Sequence, residues 1–174
     1  IATWKLGDPR DEDVVIGPMV EGPHFEKVKS FIAITEQEGG KLVQGGKIHS
    51  DLGSGWYIEP TIFDNVTADM TLFQQEVFGP ILAVTTFTSD EEAVALANNS
   101  SYGLAASLYT ESLKRAQRVS RAIRAGTVSI NGFSEGDITT PFGGFKQSGF
   151  GGRDKGLEAL QQYVQTKTIW YVQD

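Results

Sequence analysis

Three short stretches hold residue types that could do chemistry together. The first, TLFQQEVFGPILAVTT from Thr71 to Thr86, sets Glu76 and Phe78 two residues apart, just ahead of a Gly79-Pro80 break. An ionised carboxylate only accepts hydrogen bonds, and it can take two O–H groups at once. The second, NGFSEGDITTPFGGFKQSGFGG from Asn131 to Gly152, carries Glu135 and Asp137 close together, then Phe142 and Phe145 among glycines. Acids flanking Gly136 form a turn or present a carboxylate on a loop. The third is NNSSYGL, from Asn98 to Leu104. Read singly, each has an ordinary structural meaning: Glu76 as a surface carboxylate, Phe78, Phe142 and Phe145 as core, Gly136-Asp137 as a turn. His24 and His49 read as solvated residues without the partners a metal site needs, so no metal is expected. Lys146 and Arg153 could meet phosphate or carboxylate, and such residues more often pair with surface acids. A GxGxxG-like string within Gly143 to Gly152 does not lie between a strand and a helix, so it is no dinucleotide fingerprint.

The elements that must position these residues follow from breakers and periodicity. Residues 1 to 21 read as loop, broken by Gly7, Pro9, Gly17 and Pro18. Pro23 suits the first turn of a helix, and Phe25, Val28, Phe31 or Ile32, and Thr35 then repeat near 3.6 until Gly39-Gly40. Lys41 to Gln44 is a short strand, residues 47 to 55 a surface loop, and Trp56 to Phe63 two strand pieces split by Pro60. Ile81 to Phe87 predicts a strand. Ser89 with Glu92 three residues on predicts a helix start. Ala105 to Tyr109 is a strand, Ser112 opens a helix closed at Gly126, and Thr127 to Asn131 is the next strand. Strand–helix–strand–helix–strand with short links implies parallel pairing, hence an α/β fold. Asp154 to Tyr163 predicts a helix and Thr166 to Val172, TKTIWYV, a final strand. Trp4, Trp56 and Trp170 read as packing residues.

Composition narrows the classes. The 40% apolar and 21% charged fractions over 174 residues are those of a globular chain long enough for a core. A net charge of −7 with scattered acids argues against a nucleic-acid surface. No apolar run reaches the roughly 18 residues of a membrane span. No signal-peptide pattern leads the chain, so the expected location is the cytoplasm. There is no cysteine, which excludes disulfides, thiolate metal sites and a cysteine nucleophile within these residues.

Taken together, EVFGP, NNSSYGL and PFGGFKQSG, in this order and near this spacing, resemble the C-terminal part of the catalytic domain of NAD(P)-dependent aldehyde dehydrogenases. The resemblance runs from about Trp4 to the end. It implies a parallel-sheet α/β catalytic-domain portion over residues 1–164 and a C-terminal oligomerisation strand over 165–174, with the Rossmann-like cofactor domain outside this chain. By the same resemblance, Glu76 accepts hydrogen bonds from the nicotinamide ribose of NAD or NADP, and Phe78 packs beside that ribose and the nicotinamide. Phe142 lines the aldehyde channel. Residues 132 to 140, with Glu135, Asp137 and Ile138, form the variable loop that holds the aldehyde's tail. The implied reaction turns an aldehyde into a carboxylic acid through a thiohemiacetal and a thioester, whose cysteine, activating glutamate and oxyanion-hole asparagine match nothing here. The segment GDITTPFGG is most similar to members acting on aminoaldehydes, such as γ-glutamyl-γ-aminobutyraldehyde or betaine-type aldehydes. The implied partners are a small-molecule aldehyde and further copies of the protein, as a dimer or tetramer, with neither nucleic acid nor membrane. The alternative is a non-catalytic, truncated or scaffold chain of the same fold.

Overall fold

The computed structural model describes residues 1–134 and 136–173. Its contacts divide the chain into two compact units, Ile1–Thr88 and the residues from Ser89 onward.

The first unit is built on helix α1, Gly22–Gln37. Phe25, Val28, Phe31, Ile32 and Thr35 fall on one side of it and are buried, as the 3.6-residue spacing requires. Each large apolar side chain buried there stabilises the unit by roughly 1.5–3 kcal/mol. Pro23 sits within the first two positions, where a missing N–H costs no helical bond. The helix ends on Gly39, at φ 97°, with Gly39 N donating to Glu36 O and Gly40 N to Thr35 O. These two bonds satisfy carbonyls that have no partner inside the helix, and a left-handed residue at that point favours glycine.

Strands β1 (Lys41–Gln44), β4 (Thr61–Asp64) and β5 (Ile81–Ala83) make a three-stranded sheet in the order β1-β4-β5. β1 runs antiparallel to β4, and β5 parallel to it, with Thr61 opposite Ile81 and Phe63 opposite Ala83. The short helix α2, Thr71–Gln74, lies in the crossover that a parallel pair needs. β2 (Ile48–His49) and β3 (Tyr57–Ile58) form a small antiparallel hairpin. Residues 47 to 55 are therefore not all loop. The two-residue β2 is too short for an alternation signal, and its pairing with β3 creates it. Phe63, Ile58, Val66, Met70, Leu72 and Val77 complete the core under α1.

The second unit holds α3 (Asp90–Asn98), β6 (Ala105–Leu108), α4 (Leu113–Ala122) and β7 (Thr127–Ile130). Ser89 Oγ accepts from Glu92 N at 3.1 Å, and Ser112 Oγ from Arg115 N at 3.3 Å, so both helices start on the expected side-chain caps. β6 and β7 pair in parallel from Ala105–Thr127 to Leu108–Ile130. α4 buries Ala116 and Val119, three residues apart, and turns its cations outward. Arg115 Nε donates to both Asp90 oxygens at 2.9 Å, and Arg118 reaches Asp90 and Glu91, clasping α4 to α3. The Arg115 hydrogen bonds hold the Asp90 carboxyl below the usual carboxylate range.

Four further expectations change. The strand from Ile81 ends at Ala83. α4 ends at a cap on Ile123, three residues before Gly126, which has a different duty. Leu157–Tyr163 is a 3-10 helix, with no buried residue to hold an α-helical face. Residues 164–173 take no strand, and Trp170 is 85% exposed rather than packed. A strand exists only through a neighbour's hydrogen bonds, and the alternation of TKTIWYV cannot supply one.

Candidate functional site

The segment Glu76-Val77-Phe78-Gly79 follows α2 and leads into β5. Val77 is buried in the core of the first unit, whereas Glu76 is exposed and Phe78 is 74% exposed. Phe78 is thus no core residue. Its backbone is left-handed, at φ 58°. A bulky side chain there costs about 1–2 kcal/mol, so neighbouring contacts must impose it. They come from α1. His24 Nε2 lies 2.6 Å from Phe78 O, and Lys27 Nζ is 3.4 Å from Glu76 O. A Cβ on Gly79 would stand 2.7 Å from Val28 Cγ2, so only glycine fits beneath the helix. His24 was expected to be solvated. It is half-buried and engaged, because the backbone oxygen it meets lies 54 residues away in sequence.

A carboxylate and an aromatic ring therefore flank a buried valine and leave the surface together. That pairing fits a vicinal diol, which the carboxylate can accept, beside a planar ring, which Phe78 can abut. The residues suit the ribose–nicotinamide end of a dinucleotide.

The other candidates belong to the second unit. Phe142 is half-buried and bridges Asp154 through Phe142 N to Asp154 O at 3.1 Å and Asp154 N to Phe142 O at 2.7 Å. Lys155 Nζ stands 5.2 Å from its ring centroid. Ile138 is 77% exposed, and its carbonyl accepts from Gly156 N at 2.9 Å. The loop carrying Ile138 and Phe142 is thus pinned at both ends to residues 154–156. Asp137 is exposed. Its Oδ1 accepts from Thr139 N at 2.8 Å and Thr139 Oγ1 at 2.6 Å. The Thr139 hydrogen bonds draw its carboxyl below the usual range, so it stays ionised. Glu135 lies outside the described residues.

The glycine-rich motif is largely scaffold. Lys146, in left-handed backbone at φ 53°, donates through Nζ to Asn98 O and Ser100 O, both at 2.8 Å. Its partners are backbone carbonyls rather than the phosphate or surface acid expected. Phe145 N donates to Gly103 O, Gln147 N to Ser101 O, and Gly103 N to Ser148 Oγ. Asn98 in turn bonds Ala122 O and Arg124 N at the end of α4. The two motifs NNSSYGL and PFGGFKQSG are one hydrogen-bonded knot that supports Phe142. Phe145 is not core either. It is partly exposed under the Arg153 guanidinium, 5.6 Å from its centroid.

His49 also departs from its expected solvated state. Its Nε2 is 2.9 Å from Glu59 Oε1 and its Nδ1 is 3.2 Å from Asp51 Oδ1, with the ring about three-quarters buried at 27% exposure. Asp51 was visible two residues on, but Glu59 reaches the ring only through the β2–β3 pairing. These three belong to a cavity of about 310 Å³ that Trp4, Leu6 and Gln44 also line. The two carboxylates meet opposite ring nitrogens rather than converging on one point.

Comparison with known proteins gives the family. The aldehyde dehydrogenase family matches residues 1–169. The chain is 49% identical over 167 residues to the aminoacetaldehyde dehydrogenase of Pseudomonas aeruginosa, covering 96% of this chain and 33% of that protein. It is 45% identical to the betaine aldehyde dehydrogenase of Rhizobium leguminosarum bv. trifolii, covering 95% of this chain and 34% of the relative. Among solved structures, a mutant of the indole-3-acetaldehyde dehydrogenase AldA of P. syringae, in complex with NAD+ and IAA, matches with a TM-score of 0.91 and 46% identity, over 97% of this chain and 34% of that one. The chain spans about a third of the length of the curated relatives it matches. With nearly its whole length matched, the chain belongs to the aldehyde dehydrogenase family.

Proposed function

We propose that these residues are the C-terminal part of an enzyme that oxidises aldehydes to carboxylic acids with NAD+ or NADP+. The observation that carries this reading is the clamp: an exposed carboxylate at Glu76 and an exposed ring at Phe78, held by a strained left-handed residue over a buried Val77. The contacts from α1 hold Phe78 in that conformation and so fix the exposed pair.

When bound, the nicotinamide supplies the hydride acceptor. In this reading Glu76 accepts the hydroxyls of the adjoining ribose and fixes the ring's approach, while Phe78 shields one side from water. Orientation of this kind supplies a large share of a rate enhancement. Phe142, held by the Asp154 bridge, forms an apolar wall for the aldehyde. Asp137 and Ile138 border its tail, and Glu135, outside the described residues, is a candidate by sequence alone. Two relatives are named for aminoacetaldehyde and betaine aldehyde. They support a small aldehyde carrying a cationic nitrogen as the substrate, and a PuuC relative is named NADP/NAD-dependent. The nucleophile belongs to residues other than these, since the sequence has no cysteine. The exposed apolar run Ile169 to Val172 is read as the strand that joins a neighbouring copy.

The test is Glu76→Gln in the full-length protein, read by single-turnover hydride transfer. Loss of a charged hydrogen bond, about 1.5–3 kcal/mol, predicts a rate roughly ten- to a hundredfold lower. An unchanged hydride-transfer rate removes the clamp role of Glu76, and the absence of any aldehyde-dependent NAD(P)H formation by the unsubstituted full-length protein removes this reading.

A further inference from the structure

We infer that His24 is a positioning residue for the clamp: its Nε2–H, donated to Phe78 O, locks the left-handed turn that presents Glu76 and Phe78 on the same surface. The inference rests on the clamp reading above and adds to it a residue outside the EVFGP motif.

Three features of α1 converge on that motif. His24 and Val28 are four residues apart, hence stacked on one helix face. His24 meets the carbonyl of Phe78 at 2.6 Å, and the Val28 side chain leaves no room for a Cβ on Gly79. Lys27, beside them, approaches the carbonyl of Glu76 at 3.4 Å. Residues 76, 78 and 79 are each met by the helix, and Val77 is packed in the core beneath it. If Phe78 relaxed to an ordinary φ, its carbonyl would leave His24 and the Glu76–Phe78 pair would no longer be fixed.

The chemistry sets the tautomer. A carbonyl oxygen only accepts, so the ring nitrogen facing it must carry the proton. His24 thus acts as a hydrogen-bond donor to Phe78 O.

The experiment compares His24→Gln, which keeps an N–H donor on a side chain of similar reach, with His24→Leu, which fills space without one. Both are made in the full-length protein beside Glu76→Gln. Amide hydrogen exchange over residues 76–81, the Kd for NAD+ and the split between kcat and KM for the cofactor are read together. His24→Leu should raise exchange in 76–81 about three- to tenfold and weaken NAD+ by a similar factor, with exchange in α1 unchanged. His24→Gln should restore most of both. If His24→Leu leaves exchange and Kd unaltered while Glu76→Gln slows hydride transfer, His24 positions nothing and the clamp stands. If His24→Gln fails to restore what His24→Leu loses, donation to Phe78 is not the cause. If Glu76→Gln itself leaves hydride transfer unchanged, the clamp reading falls, and the inference falls with it.

Discussion

The Cα of Gly126 lies directly against the carbonyl oxygen of Gly143, so closely that a methyl group on Gly126 would overlap it. One glycine just before β7 thereby receives the glycine-rich loop that carries Phe142. Gly126 N also donates to Gly103 O at 3.0 Å, joining the same knot. Gly126→Ala should therefore destabilise the full-length protein by about 2–3 kcal/mol, because the obstructing atom is backbone and cannot rotate away. Thermal unfolding measures it. A midpoint equal to that of the unsubstituted protein would show that the loop can withdraw at little cost.

His49 should give the β2–β3 hairpin a pH dependence of definite sign. The Glu59 hydrogen bond is the main cause that raises its pKa above the ordinary 6.5, and Asp51 adds to it against the opposing effect of burial. A raised folded-state pKa means that stabilisation is complete below the unfolded value and is lost as pH climbs through the folded one. Hydrogen exchange in residues 47–59 should quicken above neutral pH. His49→Gln should remove that difference, leaving only the intrinsic pH dependence of exchange. A wild-type profile parallel to that of His49→Gln would contradict the assignment.

Asp137 separates turn chemistry from charge. Asparagine keeps the Oδ1 acceptor that Thr139 uses, so Asp137→Asn removes the charge and spares the turn. In the full-length protein, kcat/KM for an aminoaldehyde relative to an uncharged aldehyde of equal length should fall about three- to tenfold, as expected for one ion pair near solvent. A constant ratio assigns Asp137 to the turn alone.

Residues 165–174 supply the remaining test. Ile169, Trp170, Tyr171 and Val172 are all exposed and without strand partners among the described residues. We expect the full-length protein to be a dimer or larger, and deletion of 165–174 to leave monomer or aggregate. Light scattering decides it, and an unaltered oligomer would exclude this segment from assembly.

Much of the local structure was legible from neighbouring residues. Ser89 and Ser112 announced their helices because a capping oxygen reaches an N–H three residues away, a distance set by helix geometry alone. Phe25, Val28, Phe31 and Ile32 announced α1 through their spacing, and Gly39-Gly40 announced its end. The motifs pointed to the family, which the match over residues 1–169 shows, and singled out Glu76, Phe78 and Phe142 as candidates. The tertiary structure decided what depends on distant partners. It put His24 on the Phe78 carbonyl, Glu59 on His49, and Lys146 on Asn98 and Ser100. It assigned Gly126 to a close approach rather than to a helix cap, and it left TKTIWYV without a strand. Caps and helical periodicity are interactions across three or four residues, which sequence spacing encodes. Strand pairing, backbone strain and the partners of a histidine are set by residues that only folding brings within hydrogen-bonding distance.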